Sequence, residues 1–287
     1  MGELRDRMVQ DMRVRDFAKS TQEAYVAAVY GLAKYYRKSP DTLTDHEIHR
    51  YLLYVRDERQ LSASTRQQIR CGLRFFYEVT VKRPQPSLAV PVARGEQKLP
   101  EILSVQEVSR IIDATQTLRD RLLLMVTYGG GLRVSEAVQL RYSDLDYERG
   151  LIRVVQGKGK KDRYTLLPRR VSEMIEVYRA RSERAGDLLF PGQRDIRRPI
   201  DVTSAQKAYY AAKGAAGVTK EGGIHALRHA FATHLLEARC ELATIQRLMG
   251  HAGISTTMRY LHVVGRSLTR EASPLDHLRL SEPLPRR

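Results

Sequence analysis

The chain has 287 residues, enough for one large domain or two ordinary ones, each able to bury its own core. Lys and Arg outnumber Asp and Glu to give a formal charge of +16, while 42% hydrophobic and 29% charged residues are ordinary for a folded protein. The balance argues against disorder and for a polyanionic partner. No apolar run is long enough to span a bilayer, the longest lying around Leu122 to Val126, and the amino terminus has no apolar stretch resembling a signal sequence. A cytoplasmic protein with no membrane partner is expected, with Cys71 and Cys240 as reduced packing residues.

From Ser20 to about Lys82 the pattern is helical. Ser20-x-x-Glu23, Thr44-x-x-Glu47 and Ser64-x-x-Gln67 each have the form of a capping box opening an amphipathic run. Apolar residues recur at helical spacing behind them: Tyr25, Val29, Leu32 and Tyr36, then Ile48, Leu52 and Val55, then Ile69, Leu73 and Phe76. A small all-helical domain over 1–83 is expected. Pro84, Pro86, Pro91 and Pro100, with Arg94-Gly95-Glu96-Gln97-Lys98 among them, make 84–100 a basic, extended linker. Helical signals resume at Ser104-x-x-Glu107, opening a second domain over 101–287.

Within that domain Leu151–Val155 and Arg163–Leu167 are β-rich runs flanking a lysine-loaded turn, which predicts a hairpin. The stretch from Val171 to Leu261 reads as mostly helical, with breaks at Pro191-Gly192, Gly222-Gly223 and Gly250. The expected fold class is mainly α with a small antiparallel β-sheet: a helical domain followed by a mixed α+β domain.

Four islands in the second domain concentrate Arg, Lys, His and Tyr. They are Gly131-Leu132-Arg133-Val134-Ser135-Glu136, Gly157-Lys158-Gly159-Lys160-Lys161-Asp162-Arg163, His225-Ala226-Leu227-Arg228-His229, and Gly250-His251 followed by Tyr260. These residue types suit phosphodiester chemistry. Arginine forks such as Arg133 and Arg228 can hold nonbridging oxygens as charge grows at phosphorus. A lysine on a hairpin, Lys158, can protonate a leaving oxygen. His225 lies three residues before Arg228, so a helix aims both at one ligand; it can accept a phenol proton or donate to phosphate. His251 adds a further hydrogen bond, and Tyr260 is the candidate nucleophile, its phenol activated by surrounding cations. No cofactor and no metal is required. A zinc face built from His225, His229 and His234 is the duller alternative, although no Cys or carboxylate completes it. Lys160 and Lys161 stay open as substitutes for Lys158, and Arg66, Arg70 and Arg74 are expected to meet phosphates rather than bases.

The order Arg133, Lys158, His225-x-x-Arg228, His251, Tyr260, with Leu248-Met249-Gly250-His251 and Thr256-Thr257 ahead of the tyrosine, resembles the tyrosine recombinase (phage integrase) family. The likeness spans nearly all of Glu101 to His262, and the amino-terminal helices are similar to the core-binding, SAM-like domain of that family. What the resemblance implies is a site-specific recombinase or integrase. It would cut and rejoin double-stranded DNA at specific sites through a 3′-phosphotyrosyl link on Tyr260 and a Holliday junction, without metal or ATP. The catalytic set would be Arg133, Lys158, His225, Arg228, His251 and Tyr260. A tetramer on DNA is implied, with the tail beyond Tyr260, including Val263, Val264 and Leu275, docking on a neighbouring subunit.

Xer recombinases are similar in length, and integron integrases in the run Ser20–Tyr25 and the tail Ser273-Pro274-Leu275-Asp276. The stretch Phe190 to Gln206 leaves no room for the helical insertion that integron integrases use on folded sites, so duplex sites and carriage by a transposon or other mobile element are expected. A type IB topoisomerase shares much of the chemistry but not the separate amino-terminal domain and tail. A non-catalytic DNA-binding regulator would be expected to have lost one of the six groups. An RNA-binding protein explains the charge but not the islands.

Overall fold

A computed structural model describes residues 2–83, 101–155, 162–181 and 186–250. The chain divides into two compact units, Met1–Lys98 and Leu99–Arg287.

In the first unit four α-helices follow one another: α1 (Gly2–Val14), α2 (Lys19–Tyr36), α3 (Asp45–Asp57) and α4 (Ala63–Phe75), the last continuing into a π-helical stretch, Phe76–Val81. The helical spacing read from the sequence is the buried face: Val29, Leu32, Ile48, Leu52, Val55, Leu73 and Phe76 are buried, and Tyr25, Tyr36 and Ile69 pack on them partly exposed. Burying some ten such side chains is what stabilises so small a unit, since each contributes on the order of 2 kcal/mol. Tyr77 is fully buried and donates its hydroxyl to the Pro40 carbonyl at 2.6 Å, which leaves its polar tip satisfied inside an apolar core.

The helix starts differ in part from the sequence reading. Thr44 and Glu47 form the expected reciprocal cap of α3. Ser20 caps nothing, because α2 begins at Lys19 behind Ala18, and the cap of α4 is Ser62, two residues ahead of the expected Ser64. Helix α1, absent from the sequence reading, supplies Met8 and Met12 to the core from an otherwise charged segment.

The second unit is built around α6 (Leu118–Gly129), a helix buried along most of its length through Leu122, Leu123, Leu124, Val126 and Thr127. Packed against it are α5 (Val105–Asp113), α7 (Val134–Val138), α8 (Arg169–Ala180), α9 (Val202–Ala215) and α10 (His225–Glu237). Ser104 and Glu107 cap α5 as expected. The sheet has three antiparallel strands in the order β1 (Leu145–Asp146), β2 (Leu151–Val154), β3 (Arg163–Leu166). The predicted hairpin is β2–β3, with Leu151 opposite Leu166 and Val154 opposite Arg163; β1 is an addition that two residues were too short to announce.

A small apolar cluster of Phe231, Ala232, Ile245 and Met249 joins α10 to α11 (Leu242–Met249). Between α8 and α9 the chain closes on itself, Pro191 bridging to Pro199 and Ile200 N–H donating to Phe190 O at 3.0 Å, so no helix precedes Val202 among residues 186–201. Among the described residues no helix is long and apolar enough to cross a membrane. Cys71 and Cys240 are free thiols, each partly buried.

Candidate active site

The site begins at the end of α6. Three consecutive glycines follow Tyr128, and Gly131 takes a left-handed backbone (φ +58) that terminates the helix and turns the chain inward. A Cβ there would stand 2.2 Å from the ring of Phe231, so the turn is pressed against α10 with no room for a side chain. Arg133 follows as the residue before α7, and one turn on, Glu136 folds back to accept its backbone N–H at 2.8 Å and its Nη1 at 2.7 Å.

Arg228 approaches the same place from α10. It is almost fully buried, donates Nη1 to the Gly131 carbonyl and Nη2 to the Met249 carbonyl, and has Nη1 3.7 Å from Glu136 Oε2. From the sheet, Arg163 at the start of β3 sends Nη1 and Nη2 to the two oxygens of Glu136 at 2.9 and 2.7 Å, and Nε to Leu248 O at 2.9 Å. One carboxylate therefore collects three arginines from a loop, a strand and a helix. Burial works to raise the Glu136 pKa, but the hydrogen bonds and charge of Arg163, with those of Arg133, outweigh it and hold the group down to about 2. Glu136 is thus ionised at any physiological pH.

His225 is the first residue of α10, one turn before Arg228. It keeps an exposed edge, yet the protein packed around the ring and then the charges of Arg228 and Arg133 lower its pKa below the ordinary 6.5. A neutral imidazole, able to accept a proton, stands beside two guanidiniums. The ring of His229 meets that of His225 edge-on with centroids 5.4 Å apart. His234 takes no part in a metal face: Nδ1 pairs with Tyr128 Oη at 2.9 Å and Nε2 with Leu103 O at 3.0 Å, so it bridges α6 to the segment before α5. Among the described residues no group of three or more His, Cys, Asp or Glu is placed to hold a metal ion.

A cleft of about 740 Å³ opens beside Arg133, lined also by Arg141, Arg153 and Arg197. Each of these pairs with a carboxylate, Asp187, Asp144 and Asp195 respectively, while remaining about half exposed or more. A groove of about 820 Å³ in the first unit is mainly apolar, lined by Met8, Val26, Val29 and Phe76 among others, and has no cluster of reactive groups.

Of the six expected catalytic residues, Arg133, His225 and Arg228 lie together, and Lys158, His251 and Tyr260 lie outside the described residues, as do Lys160, Lys161 and the tail. Glu136 and Arg163 were visible inside two of the islands but had no assigned part. A carboxylate among cations was the available signal, and it acquires meaning only when three chain segments converge on it.

The described chain is thus an all-helical unit followed by a helical unit with a three-stranded sheet, in which two arginines stand beside a histidine on α10. Residues 101–265 match the phage integrase family and residues 4–87 its N-terminal SAM-like domain, so the chain belongs to the phage integrase family. A Sinorhizobium fredii protein bearing the name integrase/recombinase is 38% identical over 286 residues, covering 99% of this chain and 92% of its own. The tyrosine recombinase XerC of Lactobacillus leichmannii is 30% identical over 278 residues, covering 90% and 92%. Among solved structures, XerH site-specific recombinase bound to its difH substrate superimposes with a TM-score of 0.69 at 23% identity, covering 91% of this chain and 82% of that one. A lambda integrase dimer bound to a COC′ core site gives 0.73 at 20%, covering 91% and 76%. The two structures share the fold of this chain, and the family match with the sequence relatives makes it a site-specific recombinase of the tyrosine class, the enzyme that the resemblance implied.

Proposed function

We propose that the chain breaks and rejoins duplex DNA at specific sites with Tyr260 as nucleophile and Arg133, Lys158, His225, Arg228 and His251 as the groups that activate the phosphate. Tyr260 Oη forms a bond to phosphorus, the bond from phosphorus to the 5′ oxygen breaks, and Lys158 gives that oxygen its proton while the phenol proton passes to His225. The DNA is left with a 3′-phosphotyrosyl link and a free 5′-hydroxyl, which attacks the link of a partner strand and restores the phosphodiester. Bond energy is retained at every step, so ATP is not consumed.

The observation that carries this reading is the sharing of Glu136 by Arg133 and Arg228, with neutral His225 alongside. The forks are preorganised before any phosphate arrives, and preorganised charge is the largest source of catalysis for a developing anion.

In this reading 1–83 is the core-binding domain, 84–100 the linker and 101–287 the catalytic domain, ending in a tail that docks on the next subunit of a tetramer on a Holliday junction. The basic side chains of the cleft beside Arg133, with Arg66, Arg70 and Arg74 of the first unit, contact phosphates and position the duplex. The protein acts in the cytoplasm, on the nucleoid, and serves a mobile element. Relaxation without exchange of partners and binding without cleavage, the two rival activities, are distinguished by the same experiment. Nicked duplexes from the DNA flanking the gene are incubated with wild type and Tyr260→Phe, without metal or ATP, and then with a second duplex. A covalent adduct on Tyr260 that vanishes in the variant, followed by transfer to the second duplex, is expected. Nicking that survives Tyr260→Phe overturns the mechanism.

A further inference from the structure

Arg163 uses all three of its guanidinium nitrogens on protein oxygens. Its side chain is only 9% exposed, its two terminal nitrogens match both oxygens of Glu136, and its Nε holds the carbonyl of Leu248 near the end of α11. Gly250, just beyond α11, lies against the same side chain in a left-handed conformation (φ +60), and a Cβ there would come within 2.6 Å of Arg163 Cδ and 3.0 Å of Nε. The backbone that leads to His251 is therefore laid directly on the guanidinium. At its other end, Arg163 opens the strand whose connection to β2 contains Lys158 in sequence.

The charges around Glu136 give this arrangement a purpose. One carboxylate faces Arg133, Arg163 and Arg228. A bidentate fork is the strongest partner a carboxylate can have, and it leaves little residual charge. With Arg163 in place, the guanidiniums of Arg133 and Arg228 approach Glu136 through one nitrogen each, at 2.7 and 3.7 Å. Without it the buried carboxylate must be neutralised by those two alone, which draws off the charge that a phosphate would meet.

We infer that Arg163 is a positioning residue for the recombination chemistry: it neutralises Glu136 so that Arg133 and Arg228 keep their charge for the phosphodiester, and it fastens the hairpin and the end of α11 to that same carboxylate. The inference rests on the reading that Arg133 and Arg228 bind the scissile phosphate.

The test measures single-turnover adduct formation on saturating nicked duplex, with duplex affinity and thermal melting in parallel, for Arg163→Met, Arg163→Lys, Glu136→Gln and the double variant Arg163→Met/Glu136→Gln. Arg163→Met is expected to slow the adduct step by about 100-fold, the scale for losing one preorganised charge, with duplex affinity changed by less than about threefold. Removing the unneutralised carboxylate in the double variant is expected to recover about tenfold of that rate. Such recovery is a non-additive coupling, and its appearance in the adduct rate with no matching change in melting temperature is what a packing role does not produce. Arg163→Lys keeps the charge but not the fork and is expected to fall between wild type and Arg163→Met.

An Arg163→Met enzyme at wild-type rate, or a double variant no faster than the product of the single defects, overturns the inference. Should Arg163→Met fail to fold, the double variant and Arg163→Lys decide: either one slowed to the level of Arg133→Ala overturns it, and rates within about tenfold of wild type support it. Tyr260→Phe, run in parallel, reports separately on the reading beneath: an adduct that persists in that variant removes the assumed chemistry whatever Arg163 does.

Discussion

Arg228 on α10 and Glu136 on α7 stand 3.7 Å apart with both side chains more than nine-tenths buried, although the sequence separates them by about half the length of the second unit. A buried ion pair of this kind repays its desolvation only when its members are fully hydrogen-bonded. Arg228 meets that condition through the carbonyls of Gly131 and Met249, and Glu136 through Arg133 and Arg163.

The first consequence concerns acid stability. The folded Glu136 titrates near 2 against an ordinary 4.5, so folding favours its charged form. That contribution is complete above pH 4.5 and is lost as pH falls toward 2; it amounts to on the order of 3 kcal/mol. Urea unfolding at pH 7 and pH 3 is expected to show a smaller acid loss for Glu136→Gln than for wild type. Equal loss in both would place the acid sensitivity elsewhere.

His225 carries a prediction for the acid side of the rate profile. Its pKa is depressed by burial and by Arg228 and Arg133, so the neutral imidazole persists below the ordinary 6.5. If it is the base, adduct formation falls on the acid side with a midpoint under 6.5, and His225→Gln, slower by about 100-fold or more, loses that limb. A wild-type midpoint well above 6.5 would contradict the assignment.

Gly131→Ala should be costly out of proportion to one methyl group. The residue has φ +58 and its Cβ would strike Phe231, and its carbonyl receives Arg228. A loss of about 2–4 kcal/mol is expected from the left-handed strain and the overpacking together. Adduct formation should fall further than stability does, because the Arg228 acceptor shifts; melting curves and rates on the same preparation compare the two.

His234 offers a contrast, since its two ring nitrogens serve structure. His234→Ala leaves the Leu103 carbonyl, in a buried residue, and the Tyr128 hydroxyl without their partner, at a cost of about 1–3 kcal/mol. At a temperature where the variant is folded, the adduct rate per folded molecule is expected to match wild type, and added zinc should leave the wild-type melting temperature unchanged. A zinc-dependent rise lost in His234→Ala would revive the metal reading.

Much of the molecule was legible before any coordinates, and for local reasons. A helix face repeats every three to four residues and a hairpin announces itself by β-branched runs around a turn, so the cores of α2, α3 and α4 and the pairing of β2 with β3 follow from spacing. The reciprocal caps at Thr44 and Ser104 are local bonds and formed as read. Where neighbouring residues compete, spacing fails: Ser62 took the cap expected of Ser64, and α1 went unread because only Met8 and Met12 in it are buried.

The amino-acid order by itself determined that a basic, two-part chain carries arginines, histidines, a lysine and a tyrosine in the arrangement of an integrase, because motif spacing is written along the chain. It also determined that His225 and Arg228 share a helix face. Only the tertiary structure decided that Glu136 is the hub for Arg133, Arg163 and Arg228, and that His234 bridges helices instead of binding metal. The physical reason is range: propensities and caps act within a few residues, whereas neutralising a buried charge requires groups brought from a loop, a strand and a helix at once.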